Sequence, residues 1–238
     1  MSLLTRELVQ KCKHTILTNK NVRIVLVDWM SEVCGQFHLR SQTFHNSVNI
    51  LDRFLHEDVP LSDYQLAATA AMFISSKLLE ITPPKLKDFV TVTNNTYTKD
   101  RLIAMEASIL RALSWRVQPA TVYDFVASWL EQEELGPIMN LLDTMAMHPL
   151  YGQHLPSEIA SSAMSILHPG RVKGKVQACI DVMRTFLELP VLEKTYVQSL
   201  EEYNIYPTDL QSLHKYNKGM KHLHARLNQN GNKAVVPA

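Results

Sequence analysis

Ten histidines, three cysteines and 23 acidic residues are the groups in this 238-residue chain that could ligate a metal or move a proton. The close histidine pair is His222-x-His224, and on a helix that spacing points the two rings apart, against a metal site. Cys12, Cys34 and Cys179 are far apart, odd in number and without a Cys-x-x-Cys pair. They suggest neither a zinc site nor a disulfide framework, and a reducing compartment suits them best. No nucleophile motif, Walker sequence or convincing carboxylate pair emerges, and only 7 glycines disfavour a Gly-rich phosphate loop. Two polar residues have purely local readings. Lys77 suits the last turn of a helix, where a cation complements the dipole, and Ser62-x-x-Gln65 has capping-box spacing. Such an inventory points to a binding protein that needs no cofactor and no metal.

Charge adds an exclusion. Lys and Arg total 24 against 23 Asp and Glu, and neither half is strongly basic: 14 against 11 over residues 1–118, 10 against 12 over 119–238. A nucleic-acid binder usually concentrates positive charge on one face. The nearest approach, Lys215, Lys218, Lys221 and Arg226, has helical spacing and suits a solvated face, so no nucleic-acid partner is expected. No apolar run of about 18 residues and no signal-peptide pattern occurs, so no membrane span or secretion is expected.

The elements that would position a binding surface are helices. Val22, Leu26, Trp29 and Val33 fall on one helical stripe, and Phe44, Val48, Leu51 and Leu55 repeat it after Ser41, a predicted N-cap. A third helix is expected from Ser62 to about Glu80. Its small residues, Ala67, Ala68, Thr69, Ala70, Ala71, Ser75 and Ser76, would let neighbours approach from several sides, so it should be central. Pro83-Pro84 then breaks the chain. A short helix is predicted over 85–92, and Thr98 should cap a fifth with Leu102, Met105, Ile109 and Leu113 on its apolar face. Pro119 marks the expected boundary between a domain of residues 1–118 and one of 119–238. The second repeats the plan weakly, with helices expected near 120–132, 137–147, 156–168, 173–188 and 208–227. No strand-like alternation of useful length occurs, and the predicted fold class is all-α, in two tandem five-helix domains.

Three segments of the first half, in order and spacing, resemble a cyclin box. They are VRIVLVDWMSEV (22–33), VNILDRFL (48–55), and the set LAATAAMFISSKLLEITPP (66–84), DFVTVTNNTYTKD (88–100) and MEASILRALSW (105–115). The last set looks more like A- or B-type cyclins than D-type ones. In the second half, LPSEIASSA (155–163) and the final long helix look like the family's second box. The resemblance implies a non-catalytic regulatory subunit that binds a cyclin-dependent protein kinase, switches it on, and promotes cell-cycle progression. The implied setting is the nucleus and cytoplasm.

The same resemblance implies three groups of residues. Kinase contact falls to Lys77 and Glu106, with Leu78, Leu79, Ile81 and Trp115 supplying apolar area. A hydrophobic patch docking Arg-x-Leu substrates and inhibitors falls to Val22, Val25, Leu26, Trp29, Glu32 and Gln65. Arg23 and Asp52 form a buried ion pair between the first two helices. Three departures matter. Leu79 stands where the family often has an acid, and Val22 replaces the usual Met. Gln36, Asn94 and Asn95 stand where A-type cyclins tend to have acids, so docking should be weakened. These departures point to a compact herpesvirus-encoded cyclin acting on host-cell kinases, rather than a trimmed cellular one. Transcription factors of the TFIIB type and retinoblastoma-type pocket proteins share the double five-helix fold. The first would want a basic face, and the second leaves the motif set unexplained.

Overall fold

A computed structural model describes residues 20–55, 59–148, 151 and 154–167, and every regular element among them is helical. The helices are α1 (Lys20–Gln36), α2 (Ser41–Phe54), α3 (Tyr64–Leu79), α4 (Leu86–Val92), α5 (Lys99–Ala112), α6 (Val122–Trp129), α7 (Gln132–Ala146) and α8 (Pro156–Leu167), with a 3-10 turn at Leu61–Asp63. The helices expected over 173–188 and 208–227 lie outside the described residues, as do Cys12, Cys179, the His222/His224 pair and the basic group at 215–226.

Helix α3 packs against α1, α2, α4 and α5. Its small residues explain this: Ala67, Ala68, Thr69, Ala70, Ala71, Ser75 and Ser76 are all buried, so four neighbours approach the same backbone. Two apolar cores result. The first gathers Leu26, Trp29, Met30, Leu51, Phe89 and Ile109. The second gathers Phe125, Val126, Ile138, Leu142, Ala160 and Ala163. The change from one to the other falls between Val117 and Ala120, although Ala146 and Met147, at the end of α7, return to the first.

Buried polar groups join the halves. The Arg23 guanidinium donates to both Asp52 carboxylate oxygens at 2.8 Å. Its Nη1 also donates to the carbonyls of Ala146, Met147 and His148 at 2.9, 3.2 and 2.9 Å. The last carbonyls of a helix have no partner within it and favour a cation, so this strut clamps α7 as well as α1 to α2. Nearby, His45 Nε2 lies 2.9 Å from Asp143 Oδ1, and Nδ1 lies 3.1 Å from the Tyr151 hydroxyl. A carboxylate can only accept, so Nε2 carries the proton. Burial pushes the Tyr151 phenol far above its usual range, which keeps its hydroxyl hydrogen in place.

Helix starts follow the expectation at Thr98, whose hydroxyl oxygen accepts from Arg101 N at 3.3 Å. They depart from it twice. The N-cap of α2 is Arg40 and Ser41 is the first helical residue, making no capping bond. The acceptor comes from another element: the Glu80 carboxylate receives the Arg40 N–H at 2.9 Å and the Thr43 hydroxyl. The capping box at Ser62 does not form either. Leu61–Asp63 turns as a 3-10 helix, α3 begins at Tyr64, and Gln65 therefore sits one position too early to reach back.

Candidate functional site

The end of α3 and the side of α5 meet at an ion pair between Lys77 Nζ and Glu106 Oε1. Lys77 is in the last turn of α3, where the dipole favours it, and its Nζ also sits 4.0 Å from the centroid of the Phe73 ring one turn earlier. The local and the functional readings of Lys77 are thus compatible. Its side chain remains 40% exposed, against 16% for Glu106. In water such a pair contributes little to stability. A partner that covers it lowers the local dielectric and raises what each charge can contribute.

Exposed apolar side chains fall on the same elements as this pair. Five large hydrophobic residues are exposed among the described residues: Leu78, Ile81, Ile103, Trp115 and Trp129. Four of them lie on the two elements that Lys77 and Glu106 join, or on the turns that leave those elements. Ile81 is 96% exposed and Trp115 71%. Leu79 is half-buried, so it supports its neighbours more than it faces out. Ile103 was not singled out from sequence. It stands one residue off the Leu102–Met105–Ile109 stripe and three before Glu106, and an aliphatic outside the buried stripe but beside a charged candidate was its signal.

Backbone geometry holds Trp115 in place. Helix α5 ends with Ser114 at φ 49° and Trp115 at φ 61°, a left-handed conformation that a bulky side chain adopts at a cost. Trp115 N donates to Leu110 O at 2.8 Å and Ser114 N to Arg111 O at 3.0 Å, so orphan helix carbonyls stabilise the turn. An exposed indole kept on strained backbone is an unusual expense for a side chain with no surface role.

Glu80 fixes the segment that carries Leu78 and Ile81. Burial alone would raise its carboxyl, but hydrogen bonds from Thr43 and Arg40, with the Arg40 charge, outweigh burial and hold it below the usual carboxylate value. Desolvation pushes the buried Cys34 thiol far above its usual range, which makes it a poor nucleophile. Among the described residues no group of three or more His, Cys, Asp or Glu could hold a metal, and no helix is long and apolar enough to cross a membrane.

Residues 2–118 match the cyclin N-terminal domain family. By its first half, this chain belongs to the cyclin family. It is 36% identical over 177 residues to cyclin-A2 of Gallus gallus, a match covering 68% of this chain and 44% of that protein. It is 34% identical over 154 residues to the G2/mitotic-specific cyclin S13-7 of Glycine max, covering 61% of this chain and 59% of that one. These matches span roughly half of the relatives' own length. Among solved structures, a viral cyclin from herpesvirus saimiri superposes with a TM-score of 0.61 at 20% identity, covering 92% of this chain and 93% of that one. A chain of the CAK complex of Chaetomium thermophilum bound to ATP-γ-S gives 0.52 at 15% identity, covering 99% and 86%. At those identities the likeness is one of fold.

The second group expected of a cyclin box is placed differently. Val22 and Trp29 are 2% exposed and Leu26 is 0% exposed, so all three are core. Val25 and Glu32 are half-buried. Val22 packs in a small cluster with Val25, Leu61 and Tyr64, apart from the main core that holds Leu26 and Trp29. Gln65 is 5% exposed, and its Oε1 has no hydrogen-bond partner in the structure. Val25, Leu61 and Tyr64 are the partly buried apolar side chains that surround Val22.

Proposed function

We propose that this cyclin is a non-catalytic subunit that binds and activates a cyclin-dependent protein kinase through the Lys77–Glu106 face. The observation that carries this reading is that exposed Leu78, Ile81, Ile103 and Trp115 all lie on the two helices joined by that ion pair or on the turns that leave them. The mechanism is a population shift. An inactive kinase holds the helix bearing its ATP-positioning glutamate away from the active site. Burying apolar side chains against the inward position of that helix, while Lys77 and Glu106 pair with its polar groups, gives the cyclin higher affinity for the active state. Only such differential affinity moves the equilibrium. ATP and magnesium are held by the kinase.

The finer reading extends to two tandem five-helix boxes over 1–118 and 119–238, action in nucleus and cytoplasm, and a herpesviral origin with host kinases as partners. The separate cores meeting between Val117 and Ala120 support the first, and Leu79 and Val22 support the last. Arg-x-Leu ligands dock weakly over Val25, Leu61 and Tyr64, with the unpartnered Gln65 Oε1 accepting a ligand N–H. Exposed Gln36, Asn94 and Asn95 bring no negative charge to assist Glu32. Titration calorimetry with such a peptide should give a weaker affinity than an A-type cyclin; equal affinity overturns the docking reading.

The main reading is tested by adding the purified chain to a monomeric cyclin-dependent kinase with magnesium-ATP and a histone substrate. Phosphorylation should rise by at least about a hundredfold, within reach of a two-state shift. An unchanged rate with every kinase of that class tried would contradict it.

A further inference from the structure

Of the 11 prolines in the chain, only Pro83 follows a serine or threonine. Thr82-Pro83-Pro84-Lys85 thus places a hydroxyl before a proline, with a cation three residues after the hydroxyl. The stretch lies between α3 and α4. Thr82 and Lys85 are exposed, beside Ile81, the most exposed of the large hydrophobics among the described residues. Its backbone is extended at both ends, with Glu80 at φ −88°, ψ 144° and Lys85 at φ −76°, ψ 157°. The two prolines fix their own φ and restrict the residue before each to extended geometry. Both ends are tied down: the Glu80 carboxylate holds the start of α2, and Asp88 Oδ2 accepts the Lys85 N–H at 2.8 Å. The result is a short, proline-stiffened segment that bends at Ile81 and Thr82, with Pro83 and Pro84 half-buried, and that presents the exposed Thr82 between two anchored ends. A protein kinase's peptide groove that makes no use of the backbone N–H after the acceptor residue loses nothing to Pro83, and Lys85 offers a charge to an acidic group beyond it.

We propose that Thr82 is a phosphorylation site for a proline-directed Ser/Thr kinase, and that the modification closes the Lys77–Glu106 face to its partner. Thr82 Oγ1 bonds to the γ-phosphorus of magnesium-bound ATP, the bond from that phosphorus to the β,γ-bridging oxygen breaks, the hydroxyl proton passes to the modifying kinase's base, and ADP leaves. The product adds about −1.5 to −2 charges one residue from Ile81. A partner covering Ile81 must then desolvate a phosphate. This second part rests on the kinase-binding reading.

The full chain is incubated with a purified proline-directed kinase and magnesium-ATP, then analysed by intact mass and peptide mapping. One phosphate on Thr82 is expected, absent in Thr82→Val and in Pro83→Ala, and formed about tenfold more slowly in Lys85→Ala. No incorporation into the unaltered chain, or equal incorporation into Thr82→Val, overturns the site. The phosphorylated and unmodified chains are then titrated into a cyclin-dependent kinase. Binding about tenfold weaker or more is expected after modification; equal affinity overturns the closure. If the unmodified chain binds no such kinase, the binding reading falls and the closure with it, while the mass measurement still decides the site.

Discussion

The α1 stripe and the α3–α5 face are built from the same kinds of side chain put to opposite ends. On α1, Val22, Leu26 and Trp29 are buried, and Arg23 among them spends its donors on Asp52 and the end of α7. On α3, α5 and the turns that follow them, Leu78, Ile81, Ile103 and Trp115 stay in water beside an ion pair that is still partly exposed. A motif helix with the strongest family signature is here mainly a structural one. The surface proposed for a partner sits where the sequence signature is a pair of single charges 29 residues apart.

The contrast predicts a separation of stability from binding, and it breaks if the two cannot be separated. Trp29→Ala should lower the unfolding free energy by about 3–5 kcal/mol in urea titrations, as large-to-small core changes do. Arg23→Ala should cost a similar ~3–5 kcal/mol, because it leaves Asp52 without its buried partner. If either change leaves stability intact and removes only ligand binding, α1 is a docking surface after all. Trp115→Gly should act in the opposite sense. It relieves the left-handed strain at φ 61° and raises stability by about 1 kcal/mol, while weakening kinase binding in calorimetry.

A finer distinction concerns Glu80, which joins the start of α2 to the segment bearing Ile81. Its carboxyl is held below its ordinary value in the folded chain, so its contribution is present above the unfolded glutamate pKa and is lost as pH falls through the lower folded one. The stability difference between the unaltered chain and Glu80→Gln should therefore be largest near neutrality and shrink on acidification. A difference independent of pH removes Glu80 from that role. The smallest effect belongs to Trp129→Ala: this residue is 42% exposed but lies on α6, away from the ion pair's two helices, and kinase affinity should not change.

Much of the helical plan was legible because burial imposes a period. The stripes of α1, α2 and α5, the central place of small-residue α3, and the cap at Thr98 all follow from 3.6-residue spacing and local hydrogen bonding. Tertiary choices were not legible. Ser41 lost its capping role because Glu80, 39 positions along the chain, supplies the acceptor from another element. The three carbonyls that Arg23 reaches, at the end of α7 and just beyond it, lie more than 120 residues away, and no local pattern announces them. At the site, Lys77 and Glu106 came from family resemblance and Ile103 from the structure. Periodicity places Leu26 and Trp29 on the inner stripe, and their burial agrees with that placement.

Charge reversal tests the central claim most directly. Kinase affinity is measured by calorimetry for the unaltered chain and for Lys77→Glu, with urea unfolding of both as the control. Lys77→Glu should cost only about 1–2 kcal/mol in urea and leave the chain folded, since the partly exposed pair is worth little and the reversal adds a like charge beside Glu106 and an anion at a helix C-terminus. It should weaken kinase binding by at least about tenfold, through repulsion where an opposite charge was read. Unchanged affinity in a folded Lys77→Glu chain would contradict the account.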